Sequence, residues 1–410
     1  MVWSRRQFCA NAAVPLIVPS ALRAQRQPLL SGGSGSHPDV ATIDHDRILA
    51  AAQSYLGNAP VTVTSFPSDN NPGSVHDFFS EADDWFPDAA APNGPYIHRP
   101  DQVNPEAFSK HRETLIHFST EVTALTSAFL LTRDMRYASH AADHLRAWFI
   151  DPACRMTAAV PYAQMVPRTN TPRFEGVIVT VHLAEVALAV SLLGSSNILP
   201  EGETSAVYAW FTTYLDWLNT SRVAALARDQ KDHHGTSWLL QAAAYARLAP
   251  ISAKSDDHVL VGLRHQFKST TLRAQVSAEG NFVHELMTSN PYRNSLFNLD
   301  MLAGICDLLS TRFESMWEYE LQDGPSMRAA VARHFPFMAN RGAWPYRADA
   351  SHFAELPVRN PSLLLAGRAY SRPEYIELWK TLNPDPTDPA IQRCFPIRQP
   401  LLWVRRAPGL

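Results

Sequence analysis

Charge is scarce in this chain. Asp, Glu, Lys and Arg make up 18% of its 410 residues, and the net charge is −3. No Lys/Arg cluster stands out along the sequence. A nucleic-acid binder neutralises many phosphates at once and needs such a cluster, so that class is excluded. An anionic sugar polymer stays open as a partner, provided its cations gather at one cleft. Cysteine is as sparse, with four in all. Four do not make a disulfide framework in a chain this long. Cys9 lies near the N-terminus, which leaves Cys154, Cys306 and Cys394, from which one pair could close. No Cys-x-x-Cys or His-Glu-x-x-His spacing occurs, so neither a metal nor a cofactor is expected. Strand-like alternation is also scarce, and Val61–Thr64 is its best short case. No fixed repeat period is visible, which counts against a repeat scaffold for protein partners.

What is present is a folded composition, 46% apolar, long enough for a large core. The N-terminus carries Ser4-Arg5-Arg6-Gln7-Phe8, a twin-arginine signature, followed by a moderately apolar run from Ala10 to Ala24. That run is too short to span a bilayer well, and Pro15 and Pro19 argue against a buried helix. Residues 1–24 are therefore read as a twin-arginine export signal, 25–40 as a flexible linker, and 41–410 as the working domain. The expected destination is the periplasm or the medium, with no membrane attachment after signal removal.

Helix-period spacing dominates beyond the linker. It runs through Leu115–Leu131, Ala138–Phe149, Val177–Leu193, Ala206–Leu218, Ser237–Leu248, Leu260–Val276, Leu296–Leu309 and Met327–Met338. Helices in succession, separated by Pro-, Gly- or Asn-bearing loops, predict an all-α fold of stacked helical hairpins. Two echoes close the chain: Leu356-Pro-Val-Arg-Asn-Pro361 and Phe395-Pro-Ile-Arg-Gln-Pro400. They read as matching helix entries, or as arginines pairing with helix ends.

Five segments carry a resemblance in the same order across residues 75 to 382. They are Asp83-Asp-Trp-Phe-Pro-Asp88 with Asn93-Gly-Pro-Tyr-Ile97, His144-Leu-Arg-Ala-Trp-Phe-Ile-Asp-Pro152 with Tyr162-Ala-Gln164, Asp232-His-His-Gly-Thr-Ser-Trp238, Glu285-Leu286 with Ser295-Leu-Phe-Asn298, and Pro357-Val-Arg-Asn-Pro361 with Glu374-Tyr-Ile-Glu-Leu-Trp379. Together they resemble the alginate lyase superfamily. The resemblance implies an (α/α) toroid, or incomplete barrel, and eliminative cleavage of a uronic-acid-containing glycan such as alginate, mannuronan or a glucuronan-like chain.

Elimination removes the weakly acidic C5 proton of a uronate and expels the sugar on O4. The carboxylate charge must first be offset by donors aimed where enolate charge develops. A base and an acid then move the protons, and His and Tyr suit both roles. By the resemblance, His234 matches the family histidine, while Asp232 and His233 stand where asparagines are usual. Thr288 and Asn294 stand where the family carries an arginine and a tyrosine. Tyr292 and Arg293, next to them, are the expected replacements. The catalytic set is thus His234, His233, Tyr292 and Arg293. Helical spacing puts His234, Trp238 and Gln241 on one face, suggesting a donor, an aromatic platform and an amide in line. The expected substrate contacts are Trp85, Tyr96, Gln164, Asn170, Arg173, Asp232, Trp238 and Asn294. Two rival functions remain. A glycoside hydrolase on the same fold would need two carboxyl groups, and Asp232 with Glu285 is the pair on offer. A non-catalytic glycan-binding protein would have lost its family arginine and tyrosine.

Overall fold

The structure, a computed structural model, describes residues 38–100, 102–169, 171–248 and 256–404. The expected export signal, the expected linker up to residue 37 and Asn170 lie outside the described residues.

Helices dominate. A short α1 (Val40–Ile43) leads into α2 (His45–Tyr55), which packs on α3 (Lys110–Thr132), itself paired with α4 (Met135–Phe149). The α3–α4 corner follows from two residues: Arg133 ends α3 in the left-handed region at φ 61°, and the Asp134 carboxylate accepts the Arg136 N–H to start α4. Next come α5 (Leu183–Gly194), α6 (Glu201–Thr220), α7 (Arg222–Arg228) and α8 (His233–Ala246). The helix α9 (Asp256–Gln266) passes through a π turn, Phe267–Thr271, into α10 (Leu272–Gln275). Then follow α11 (Pro291–Leu309), α12 (Met327–Ala339), α13 (Pro361–Ala369), α14 (Pro373–Thr381), α15 (Pro389–Arg393) and α16 (Pro400–Val404). Proline opens α11 and α13 to α16, where its missing N–H costs nothing.

The helices form two layers. An inner row runs α3, α5, α8, α11, α13, each packed on the next, and α16 comes back onto α5 and α3. Around it lie α2 and α4 on α3, α6 on α8, α12 on α11, and α14 on α13. Inner helices are apolar nearly all round. Every residue of α8 from Gly235 to Ala246 is buried, as expected of a helix walled in on all sides. Two stretches, Lys110–Thr132 and Phe174–Gly194, are long and apolar enough to cross a membrane. Their most apolar windows are 78% and 83% buried inside the fold, so this apolarity serves the core.

Three expectations change. Val61–Thr64 is no strand, because Val63–Ser65 forms a 3-10 turn capped by Thr62. The Val177–Leu193 pattern divides into a 3-10 stretch, Phe174–Thr180, and α5. Four short strands occur that no periodicity marks: β1 (Phe79–Glu81), β2 (Trp85–Phe86), β3 (Ile97–His98) and β4 (Tyr162–Met165). The parallel pair β1–β4 and the antiparallel pair β2–β3 hold Trp85 and Gln164 in place. Cys154, Cys306 and Cys394 are all free thiols.

The two echoes are matching helix entries. Before α13, the Asn360 amide donates to Asp300 Oδ2 at 2.6 Å and the Ser362 N–H to Asp300 Oδ1 at 3.1 Å. Before α16, the Arg398 and Gln399 N–H groups donate to Glu185 Oε1 at 3.0 and 2.8 Å, and the Trp403 indole adds a third bond at 3.0 Å. A buried carboxylate from an inner helix thus receives the orphan N–H groups of a helix start. Burial pushes Asp300 up to about 7 and raises Glu185, while the bonds they accept pull the other way.

Candidate active site

The segment Asp232-His233-His234 forms the start of α8. Asp232 is the N-cap, and its Oδ1 accepts the His234 N–H at 2.9 Å. The same oxygen lies 3.1 Å from His234 Nδ1. Glu285 holds the other histidine. It is fully buried, its Oε1 accepts the His233 N–H at 2.7 Å, and its Oε2 lies 2.8 Å from His233 Nδ1. Each ring therefore has a carboxylate behind Nδ1, which leaves Nε2 as the nitrogen for chemistry. The rings lie 4.3 Å apart and remain open to solvent, at 15% exposure for His233 and 18% for His234.

A buried network fixes Glu285. The Asn298 amide donates to Glu285 Oε1 at 3.1 Å and to Gln275 Oε1 at 2.7 Å, and Gln275 Oε1 also accepts the Thr236 hydroxyl at 2.9 Å. Gly235 completes the turn, since a Cβ there would overlap the Gln230 carbonyl oxygen. The histidines thus stand on one rigid helix end tied to α10 and α11.

Electrostatics separate the two carboxylate–histidine units. Burial pushes the Asp232 carboxyl up, but the hydrogen bond and charge of His234 and the charge of His233 outweigh it and hold the group far below the carboxylate range. Burial works against a charged His233, but the charge and hydrogen bond of Glu285, with Asp232, outweigh it. The His233 pKa is raised, and Arg293 opposes the rise. Asp232, His233 and His234 also bring three metal-capable atoms within 4.8 Å of one another, the one such group among the described residues. Two of those side chains already spend Nδ1 on a carboxylate.

The expected residues divide sharply. His234 touches Phe174 edge to face, with centroids 5.5 Å apart. Arg173, next in the chain, lies 5.9 Å over the Trp85 ring and donates to Glu175 at 2.6 Å. His234, Phe174, Arg173 and Trp85 thus form one wall. Arg293, at the start of α11, is near enough to His233 to act on its charge. Its guanidinium forms no ion pair among the described residues, although the Asp349 carboxylate is near enough to feel its charge, and its Nε is buried without a partner. Tyr96 stands farther along that first wall, under Arg168 at 5.4 Å, where both line a hollow of about 470 Å³.

Four expectations need correction. Tyr292 is wholly buried, donates its hydroxyl to the Phe337 carbonyl at 3.0 Å, and packs on Trp344 and Phe353. Burial raises its pKa far above that of a free phenol, so it is no acid or base here. Trp238 is buried, with its indole N–H on the Leu218 carbonyl. The shared face of His234, Trp238 and Gln241 is a core face past its first turn, because Gln241 is buried against Thr180, Ser237 and Tyr245. Gln164 is also buried, at φ 56°. Its N–H donates to Ser80 Oγ and its carbonyl accepts from Arg173, so it positions the wall instead of facing substrate. Asn294 is half-buried and gives its amide to Thr288 Oγ1 at 3.1 Å. The residues at the two divergent positions therefore bond each other.

Sequence reasoning passed over two contributors. Phe174 carried no motif. Glu285 was in view as part of the family resemblance, as a loop anchor and as a hydrolase carboxylate, but not as the partner of His233; both carboxyls of the hydrolase pair are committed to histidines.

Two carboxylate-backed histidines with Arg293 close by, at one end of an inner helix, can move a proton beside an anionic group. Comparison makes this specific: the family model described as alginate lyase matches residues 62–344. The chain belongs to the alginate lyase family and is a polysaccharide lyase with the helical toroid fold. Among solved structures, an alginate lyase from Bacteroides ovatus is 25% identical, with a TM-score of 0.72 over 86% of this chain and 93% of its own. The alginate lyase A1-III shares the fold at 14% identity. Its histidine-to-alanine variant complexed with a tetrasaccharide gives a TM-score of 0.52 over 88% of this chain and 94% of that one. No curated protein sequence matches this chain.

Proposed function

We propose that this lyase cleaves a β-linked polyuronate, mannuronan or glucuronan in type, by β-elimination with His234 as the proton-transfer residue. The carrying observation is the pair of carboxylate-backed histidines at the open end of α8, with the unpaired Arg293 beside them. Arg293 and His233, whose charge Glu285 favours, offset the substrate carboxylate and the enolate charge that grows at C5. His234, oriented by Asp232, takes the C5 proton through Nε2. In a β-linked mannuronate or glucuronate, H5 and O4 lie on the same face of the ring. One base can therefore remove the proton and return it to the departing O4, so elimination proceeds without the tyrosine that the family carries at the Asn294 position. Trp85 and Arg173 bind the sugar on the far wall. A tetrasaccharide bound to a lyase of this fold supports an oligosaccharide-length cleft.

The hydrolase alternative lacks a free carboxyl pair, because Asp232 and Glu285 serve the two rings. Export to the periplasm or medium, proposed from Arg5 and Arg6, fits a polymeric substrate outside the cytoplasm. The test is incubation with mannuronan, guluronan, mixed alginate and glucuronan while following the ultraviolet absorbance of the C4–C5 unsaturated uronate. A rise on mannuronan or glucuronan is expected. Reducing ends released without that absorbance would mean hydrolysis, and no release from any of the polymers would overturn the reading.

A further inference from the structure

The positions of the missing family side chains lie at the entry to α11. Thr288 and Asn294 are short and bond each other. A second segment is riveted to that edge. Asp349 accepts the N–H groups of Tyr292 and Arg293 at 2.8 and 2.9 Å, the Ala350 N–H donates to the Ser289 carbonyl at 3.0 Å, and the Ser351 N–H donates to Asn290 Oδ1 at 3.3 Å. These bonds cover 289–293, and besides the Asn294 amide one further side chain reaches 288. That side chain is Arg347, exposed, whose guanidinium donates to the Thr288 carbonyl. It forms no ion pair among the described residues; the nearby Asp349 carboxylate, which feels its charge, is taken up by the Tyr292 and Arg293 N–H groups. Its remaining N–H groups are free for an anion, in the planar fork that suits a carboxylate.

We propose that Arg347 binds a second substrate carboxylate, so that Arg293 and Arg347 together select chains of consecutive uronates over glycans in which uronates alternate with neutral sugars. The cation lost at position 288 is returned to the same edge of the cleft from a different loop. One guanidinium serves the uronate undergoing elimination, and the other serves its neighbour. This rests on the polyuronate reading of the same cleft.

The test is equilibrium binding, by calorimetry, of tetrasaccharides of mannuronate and of glucuronate, and of their methyl esters. It uses His234→Ala protein, which does not consume them, with and without Arg347→Ala. Arg347→Ala is expected to weaken binding of the free acids by about tenfold or more, the usual loss for a charge-assisted hydrogen bond. Binding of the esters should stay unchanged, and added salt should narrow the difference. Moving the cation, in Arg347→Ala/Thr288→Arg, should restore part of the affinity for the acids. Equal weakening of acids and esters would show a loop-holding role and overturn the inference, as would no weakening. If neither acid binds the His234→Ala protein, the polyuronate reading itself falls, and this inference with it.

Discussion

The starts of α8 and α16 use one device to opposite ends. In each, a buried glutamate from another element takes the N–H groups of a helix entry. At α16 the glutamate is Glu185, and all its bonds go to groups sealed in the core: two backbone N–H groups and the Trp403 indole. At α8 it is Glu285, with one oxygen on the His233 N–H and the other on a ring that still sees solvent. The anchor that closes one helix entry thus aims a titratable ring into the cleft at the other. A buried carboxylate is not by itself a sign of function. What it touches, and whether that group reaches water, decides the matter.

The largest expected effect tests the open entry directly. His234→Ala should lower kcat by about 10²-fold or more, as loss of a general acid–base residue does, with a smaller effect on Tm, because the Asp232 cap on the residue's N–H is kept. Normal turnover would break the contrast at once. Next, the two glutamates should separate. Glu185→Gln turns one acceptor into a donor facing N–H groups and should cost about 2–4 kcal/mol in denaturant unfolding, with kcat per folded molecule preserved. Glu285→Gln should cost about 10- to 100-fold in kcat as well as some stability. If both changes cost only stability, the entries are equivalent and the comparison fails.

A pH profile sharpens the point. The folded pKa of His233 is raised, so its charge interaction with Glu285 contributes in full below the unfolded value of 6.5 and is lost as pH rises through the higher folded value. Activity that needs a cationic His233 should therefore fall on the alkaline side. Glu285→Gln should move that fall to lower pH, and an unmoved limb would remove His233 from charge compensation. The smallest effect concerns Tyr292. Tyr292→Phe deletes one buried hydrogen bond to Phe337 and should cost about 1 kcal/mol of stability, with kcat/KM unaffected. A strong rate loss would return the phenol to the mechanism.

Much of the fold was legible because apolar residues recur at helical spacing and prolines mark the entries at 291, 361, 373, 389 and 400. The strands were not, because two to four residues hold too little periodicity to register. At the site, Asp232, His233 and His234 were legible as a local motif. Trp238 and Gln241 misled for a physical reason. A face shared at i, i+4 and i+7 says nothing about exposure when a helix is buried on every side. Tyr292 was drawn in by adjacency to a missing residue, and one position on a helix turns a side chain by about 100°, here into the core. Arg347 was invisible, since it reaches the cleft from a loop some sixty residues downstream of Thr288.

The wall holding Trp85 and the edge holding Arg347 belong to separate stretches of chain, while the histidines ride on α8, a rod packed on all sides. For protein engineering this makes the enzyme modular. The strand-borne rim around Trp85 and the rim ending in Arg347 could be exchanged as cassettes to retune which sugars are accepted, while the proton-handling end of α8 is left as it stands.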